Sequence, residues 1–401
     1  MKKLISDDLI QTLRKDTAEI KSFFQQEGYK FQDIPEDLNA LKDEGEAYAI
    51  AYPIQGILKY HGFYGDPRDR IAYFPSISFN NDSLYTLTYI KLDSHYQDDR
   101  VILNGTEIKG EGLERVKKAL DMIRTYSKVK NKALVISRNL ITANKKIAKG
   151  KGLGTSASAS AALTSALMSI IYNNHPKYLK NFRLRSFFSR FLSGSGCRSA
   201  TGGISLWLSH PHVKPFDCFS FRLDNQNHKE LTNKTALLTI PIESDLKTNL
   251  AHKIAPQSLF FKTWLRNRKS LVYKLYNGLK SPDIESIGQL AEYDTHCLHA
   301  VTMTGEIDNN LLAWDPKTLK IMHTIRKLRN EGIKAYYSID TGPSVIILLP
   351  NNEKDMIKKR LSTFIDPSKI LEGKIGGQAK VLSSKSNKIE PLTQDINKFT
   401  H

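Results

Sequence analysis

Cysteine and tryptophan occur only three times each in 401 residues. The cysteines (Cys197, Cys218 and Cys297) are odd in number and lack zinc-ligand spacing, which excludes a disulfide framework or a structural zinc as the organising feature of the chain. Buried small side chains are the reading that remains for them. Long apolar runs are missing too, and nothing approaches the roughly 18 to 20 residues that span a bilayer. The basic start, Met1-Lys2-Lys3, is followed by Asp7 and Asp8 before any apolar signal core develops, so a cytoplasmic protein with no membrane partner is expected. There is no basic tail, no aromatic-rich RNA-binding signature and no zinc-finger spacing, and therefore no specific sign of a nucleic-acid partner. Acidic residues are the last shortage: 41 Asp and Glu stand against 59 Lys and Arg, a formal net charge of +18. That surplus attracts anions, whether nucleic acid, acidic lipid or phosphorylated metabolites, but it is scattered along the chain and does not choose among them.

What is present is an ordinary globular balance, 40% hydrophobic and 25% charged. The length favours two domains. Residues 1–46 read as a helical N-terminal extension, in which Ile5, Leu9, Leu13, Ile20, Phe23 and Phe24 form an apolar stripe. Residues 47–230 follow with strands over Tyr48–Pro53, Ile57–Tyr60, Ser83–Lys91 and Lys132–Ser137. They also contain an Asn104-Gly105 turn and helices over Leu113–Thr125, from about Ser156, and over Arg183–Phe191. A polar stretch near Asn225–Thr235 marks the boundary to residues 231–401. There, strands over Ala236–Ile240, Ala335–Ile339 and Val345–Leu349 alternate with helical stretches over Pro256–Tyr276, Ile284–Met303, Pro316–Glu331 and Lys354–Phe364. Strands and helices mixed in both halves predict an α+β protein.

One segment has the composition of an anion site. In Lys149-Gly150-Lys151-Gly152-Leu153-Gly154-Thr155-Ser156-Ala157-Ser158, the glycines let backbone N–H groups approach a ligand, and the following helix presents its positive end to the same place. The spacing is not that of a Walker loop, and a plain packing turn is the bland alternative.

Gly152-Leu153-Gly154-Thr155-Ser156-Ala157 resembles the phosphate loop of the GHMP kinase superfamily. Three further segments resemble its mevalonate diphosphate decarboxylase branch: Ile57-Leu58-Lys59-Tyr60-His61-Gly62, Gly194-Ser195-Gly196-Cys197-Arg198-Ser199 with Gly202-Gly203 and Trp207, and Ser338-Ile339-Asp340-Thr341-Gly342-Pro343. Weaker likenesses are Asn81-Asp82-Ser83-Leu84, Asn104-Gly105 with Arg115, and His299-Ala300. The resemblance implies a ribosomal S5-like half and a ferredoxin-like half with the site between them. It implies catalytic roles for Asp340, Lys59 and Arg198, substrate contacts from Ser193, Ser195, Tyr60 and Arg115, and a phosphate loop at Gly152, Gly154, Thr155 and Ser156. The chemistry agrees. A β-phosphoryloxy carboxylate that loses CO2 needs its carboxylate oriented, for which the Arg198 fork is suited, and its departing phosphate neutralised, for which Lys59 is suited.

Departures from the branch carry information. Phe63 stands where the signature has a second lysine, and His61 where it has tryptophan; a buried structural histidine is the reading adopted for His61. Together with the extension, these features are most similar to the bisphosphomevalonate decarboxylases, whose substrate already carries the 3-phosphate. The expectation is a reaction on a small anionic substrate with no nucleotide, no metal and no other cofactor, with the extension covering a vacated adenine pocket. An ATP- and Mg2+-dependent (di)phosphomevalonate decarboxylase or a mevalonate 3-kinase is the alternative, and a basic RNA-binding protein the alternative from another class. Relatives of this kind lead us to expect a homodimer.

Overall fold

A computed structural model describes residues 5–224, 229–308 and 311–400. The helix α1 (Asp7–Gln26) begins at Ser6, whose hydroxyl accepts the Leu9 N–H. In the first half, the strands β1 (Gly45–Ala51), β4 (Leu84–Asp93), β7 (Lys132–Ile141), β5 (Arg100–Leu103) and β6 (Thr106–Glu107) form one sheet, antiparallel except where β5 meets β7. Strand alternation explains its two faces. Ala47, Ala49 and Ala51 of β1 face the small-residue helix α3 (Thr155–Ile171), while Tyr48 and Ile50 face away from it. Small residues on both partners let α3 lie deep against the sheet. The helices α2 (Gly110–Ser127), α4 (Pro176–Leu179), α5 (Phe182–Ser189) and α6 (Gly196–Thr201) complete this layer.

A second, antiparallel sheet has the order β2 (Ile54–Leu58), β3 (Ser76–Asn80), β8 (Ile204–Trp207), β9 (Ser220–Arg222). The third belongs to the second half and has the order β11 (Tyr336–Ser338), β12 (Val345–Pro350), β10 (Thr235–Ile240), β13 (Leu371–Lys374). Helices α7 (Lys229–Lys234), α8 (Thr248–Ile254), α9 (Phe261–Arg266), α10 (Arg268–Lys280), α11 (Ile284–Met303), α12 (Pro316–Asn330) and α13 (Lys354–Leu361) accompany it. Ala236, Leu238 and Ile240 face α12 and α13, whereas Leu237 joins Ile57, Ile77, Leu206, Leu275 and Leu290 in a core shared between the halves. The α+β architecture and the alternation of elements follow the sequence reading. No helix among the described residues is long and apolar enough to cross a membrane. The three cysteines are free; Cys197 and Cys218 are buried and Cys297 is half-buried.

Several expectations need correction. Only Asp7–Gln26 of the extension is helical; the chain from Gly28 to Glu44 runs without regular structure. The described residues of the extension also do not line the cleft. Its apolar stripe enters the shared core, where Phe24 lies edge-on to Tyr276 (5.0 Å) and Phe221 (5.2 Å), and Asp16 and Glu19 pair with Lys269 of α10. The stretch Pro256–Tyr276 is broken into separate helical pieces. Part of the expected boundary, residues 225–228, lies outside the described residues, and Lys229–Lys234 is helical. Finally, the chain end does not stay with the second half. β14 (Lys380–Leu382) pairs with β1, and α14 (Thr393–Phe399) sets Asp395 against Arg138 of β7 at 2.7 Å.

If α1 is an integral wall of the shared core, Phe24→Ala should destabilise the protein by about 3–5 kcal/mol, read as a lowered denaturant midpoint. A loss below about 1 kcal/mol would show that α1 is only an appendage.

Candidate active site

Lys59 follows directly after β2, which the shared core holds through Ile57 and Leu58. Its side chain is 2% exposed, and an ammonium so buried must be surrounded by acceptors. They are present: Nζ donates to the Gly56 carbonyl (2.8 Å), to Ser338 Oγ (2.8 Å) and, at 3.5 Å, to the Ala291 carbonyl. Asp340 Oδ1 lies 3.9 Å away, an ion pair without a direct hydrogen bond. The Asp340 carboxylate accepts the Gly56 N–H at 3.3 Å. A Cβ on Gly56 would lie 2.7 Å from Lys59 Cγ and 3.0 Å from Asp340 Oδ1, so the absence of a side chain lets the two groups approach. Burial lowers the Lys59 pKa and raises that of Asp340; each charge opposes the other's shift, and Arg198 also favours the Asp340 carboxylate.

A second carboxylate, which no motif marked, fixes the Lys59 backbone. Asp294 of α11 is fully buried, accepts the Lys59 N–H and the Arg268 guanidinium, and receives Trp264 Nε1–H at 2.8 Å. Arg268 returns to the Lys59 carbonyl. The positioning of Lys59 thus comes from α9, α10 and α11.

Arg198 sits on α6 and is 1% exposed. Its Nη1 donates to Ser76 Oγ of β3 at 2.6 Å, and its guanidinium lies against the Tyr60 ring at 5.4 Å and the Trp207 ring at 6.0 Å. Its buried Nε has no acceptor. Hydroxyls bridge from the phosphate loop to the turn before α6: Ser156 Oγ is 3.5 Å from Ser193 Oγ, which is 3.2 Å from Ser195 Oγ.

These groups line one cavity of about 340 Å³. Asp340, Lys59 and Arg198 meet there with Tyr60, Ser193, Ser195 and Arg115, and with the phosphate loop at Gly152, Gly154, Thr155 and Ser156. Among the described residues its wall carries five cationic side chains, Lys59, Arg70, Arg115, Lys151 and Arg198, against the single carboxylate of Asp340. Such a cavity suits a compact polyanion. No described residue of the N-terminal extension is on the wall.

Several lining residues escaped the sequence reading, chiefly Arg70, Thr248, Asn249 and His252. They lie in connections and on a short helix, without a motif around them. Of the weaker likenesses, Arg115 reaches the cavity wall, whereas the other two are structural in position. Asn81 and Ser83 bond Thr239 across the halves at 2.7 and 3.0 Å, and His299 is buried against Trp314. Lys59 also differs in detail from expectation. It spends its protons on protein acceptors, so a direct bond to a departing phosphate would require it to release one of them.

Comparison with known proteins agrees with the geometry. A family model for the diphosphomevalonate decarboxylase-like N-terminal domain matches residues 51–218. A mevalonate 3,5-bisphosphate decarboxylase from Thermoplasma acidophilum is 32% identical over 340 residues, 84% of this chain and 78% of its own. One from Thermoplasma volcanium is 28% identical over 381 residues, 95% and 92% of the two chains. The solved structure of the mevalonate diphosphate decarboxylase from Enterococcus faecalis, described for its ATP binding, has a TM-score of 0.74. It is 25% identical to this chain and covers 85% of it and 100% of its own.

His61 is buried beside this cavity, with Nε2 3.3 Å from Thr302 Oγ1 and Nδ1 without a partner, and burial lowers its pKa to about 4. The folded ring stays neutral where the unfolded one, at 6.5, takes up a proton, so the stability it confers is full above pH 6.5 and falls as pH drops towards 4. This residue alone accounts for up to about 3 kcal/mol across that window. The denaturant midpoint should therefore decline between pH 7 and 4.5, and less steeply in His61→Gln; identical slopes would show that His61 titrates freely.

Proposed function

Because the chain belongs to the diphosphomevalonate decarboxylase-like family of the GHMP-kinase fold, we propose that it converts mevalonate 3,5-bisphosphate to isopentenyl phosphate, CO2 and phosphate without a nucleotide. The observation that carries this reading is the excess of cations around Asp340 in one cavity, which suits a substrate bearing a carboxylate and two phosphates.

The elimination needs little from the protein beyond orientation and charge. The C–O bond to the 3-phosphate breaks with its electron pair leaving on phosphate, and positive charge grows at the tertiary carbon. The C–C bond to the carboxylate then supplies the electrons of the new double bond as CO2 departs. Arg198 has unspent guanidinium donors for the carboxylate and fixes its plane. Asp340, held by the Gly56 N–H, provides an oriented negative charge beside the developing cation. Lys59 sets that charge and adds a positive field for the departing phosphate. Ser193 and Ser195 offer hydroxyl donors, Tyr60 forms part of the wall, and Arg115, also on that wall, supplies a cation for the 5-phosphate.

The nucleotide-free form of the reading is supported by the packing of the phosphate loop. The Lys151 N–H donates to the Ile242 carbonyl at 2.9 Å, and the Ser344 N–H to the Lys151 carbonyl at 3.2 Å. Gly152 lies directly on Gly342: a Cβ there would be 3.0 Å from Gly342 Cα. The loop is thereby stapled to the Asp340 turn, and nucleotide phosphates passing between the two would have to part this contact.

Incubated with the bisphosphate in EDTA and no nucleotide, the protein should release CO2 and isopentenyl phosphate in equal amounts. Asp340→Asn and Arg198→Lys should each lower kcat by about 100-fold or more in a protein that remains folded, read by circular dichroism at the assay temperature. Product appearing only once ATP and Mg2+ are supplied would instead identify an ATP-dependent decarboxylase.

A further inference from the structure

Phe63 removes a cation that the family signature carries at one edge of the cleft, and the fold supplies another in its place. Arg70, in the connection between β2 and β3, lays its guanidinium over the Phe63 ring at 5.2 Å from the centroid. The connection folds back on itself through the Tyr64 N–H and the Ile71 carbonyl (2.7 Å), and Arg70 adopts a left-handed φ of 50°. Such a conformation is uncommon for a residue with a side chain, so the turn is built to aim this one.

Arg70 and Arg115 both line the catalytic cavity and also form part of the wall of a neighbouring one. They stand where the two cavities meet. Neither makes a hydrogen bond or ion pair to a carboxylate or carbonyl among the described residues, although Glu111 attracts Arg115 electrostatically, and each has a buried Nε without an acceptor. Burial pushes both guanidinium pKa values down, and Arg115 adds repulsion at Arg70. Two half-buried like charges without a direct counter-ion are unfavourable until an anion comes between them.

A neutral donor sits beside them. His252 of α8 lines the same cavity, stacks on Tyr60 with centroids 5.4 Å apart and an interplanar angle of 17°, and lies 4.8 Å from the Phe63 ring. Its Nδ1 accepts the Gly62 N–H at 3.1 Å, so the proton of the neutral ring is on Nε2, which has no partner among the described residues.

We propose that Arg70, Arg115 and His252 form a clamp for a phosphomonoester at the end of the substrate remote from Asp340, with Arg70 as its specificity-determining member. Two guanidinium forks and one imidazole N–H match the oxygens of a terminal phosphate. The clamp rests on the functional reading above for the identity of its ligand, the 5-phosphate of a phosphorylated mevalonate, but binding can be measured without turnover.

Calorimetric titration of the whole protein with mevalonate 5-phosphate and with unphosphorylated mevalonate tests it. The parent protein should prefer the phosphate ester. Arg70→Gln should weaken that ligand by about 10- to 100-fold and leave mevalonate unchanged, and Arg70→Lys should recover part of the loss. An equal loss for both ligands, no loss for either, or no preference in the parent overturns the clamp. Decarboxylation of the bisphosphate is scored separately: a protein that shows the Arg70-dependent preference but releases no CO2 keeps the clamp and loses the proposed reaction.

Discussion

A buried ammonium has to be compensated on every side, and around Lys59 that requirement ties the two halves together. Its proton acceptors come from the Gly56 carbonyl of β2, the Ala291 carbonyl of α11 and the Ser338 hydroxyl of β11, and its nearest charge from Asp340. Its backbone is fixed by Asp294, itself held by Arg268 and Trp264. Removing any one partner leaves a buried charge or donor without compensation, so the group acts as a unit. That unit fixes the relation of the first half, which carries the phosphate loop and Arg198, to the second, which carries Asp340. The cavity exists because these surfaces are held at that spacing.

Much of the site was legible because its residues lie in ordered, compositionally distinct segments. The glycines around Gly152, the turn leading to Arg198 and the Gly342-Pro343 turn after Asp340 all stand out from their surroundings, and the structure brings Gly152, Arg198 and Asp340 to one cavity. Asp294 was not legible. It sits within a long helix among residues of ordinary helical spacing, and its role appears only once α10 brings Arg268 to it. Arg70 and His252 were hidden for a similar reason: they reach the cleft through a loop and a short helix whose sequences carry no periodic signal.

The fold shows the same division. Long elements with clear alternation or helical periodicity were readable, such as β4 with its β-branched and aromatic residues and α11 with its apolar face. Short strands fully buried on both faces, β3 and β8, have no alternation to detect, since every residue in them is inside. The return of β14 to β1 is a long-range pairing that local sequence cannot announce. The N-terminal stripe was correctly amphipathic, but the surface it covers was not readable: its apolar face meets α10 and the shared core, not the cleft. Amphipathicity states that a partner exists and leaves its identity to the tertiary structure.

If Lys59 and Asp340 form one electrostatic device, their contributions to catalysis cannot be independent. A double-mutant cycle on decarboxylation of the bisphosphate, with Lys59→Met, Asp340→Asn and the combined variant, tests this most directly. The account predicts that the double variant is no slower than the slower single variant, to within about threefold. Losses that multiply across the two substitutions would contradict it.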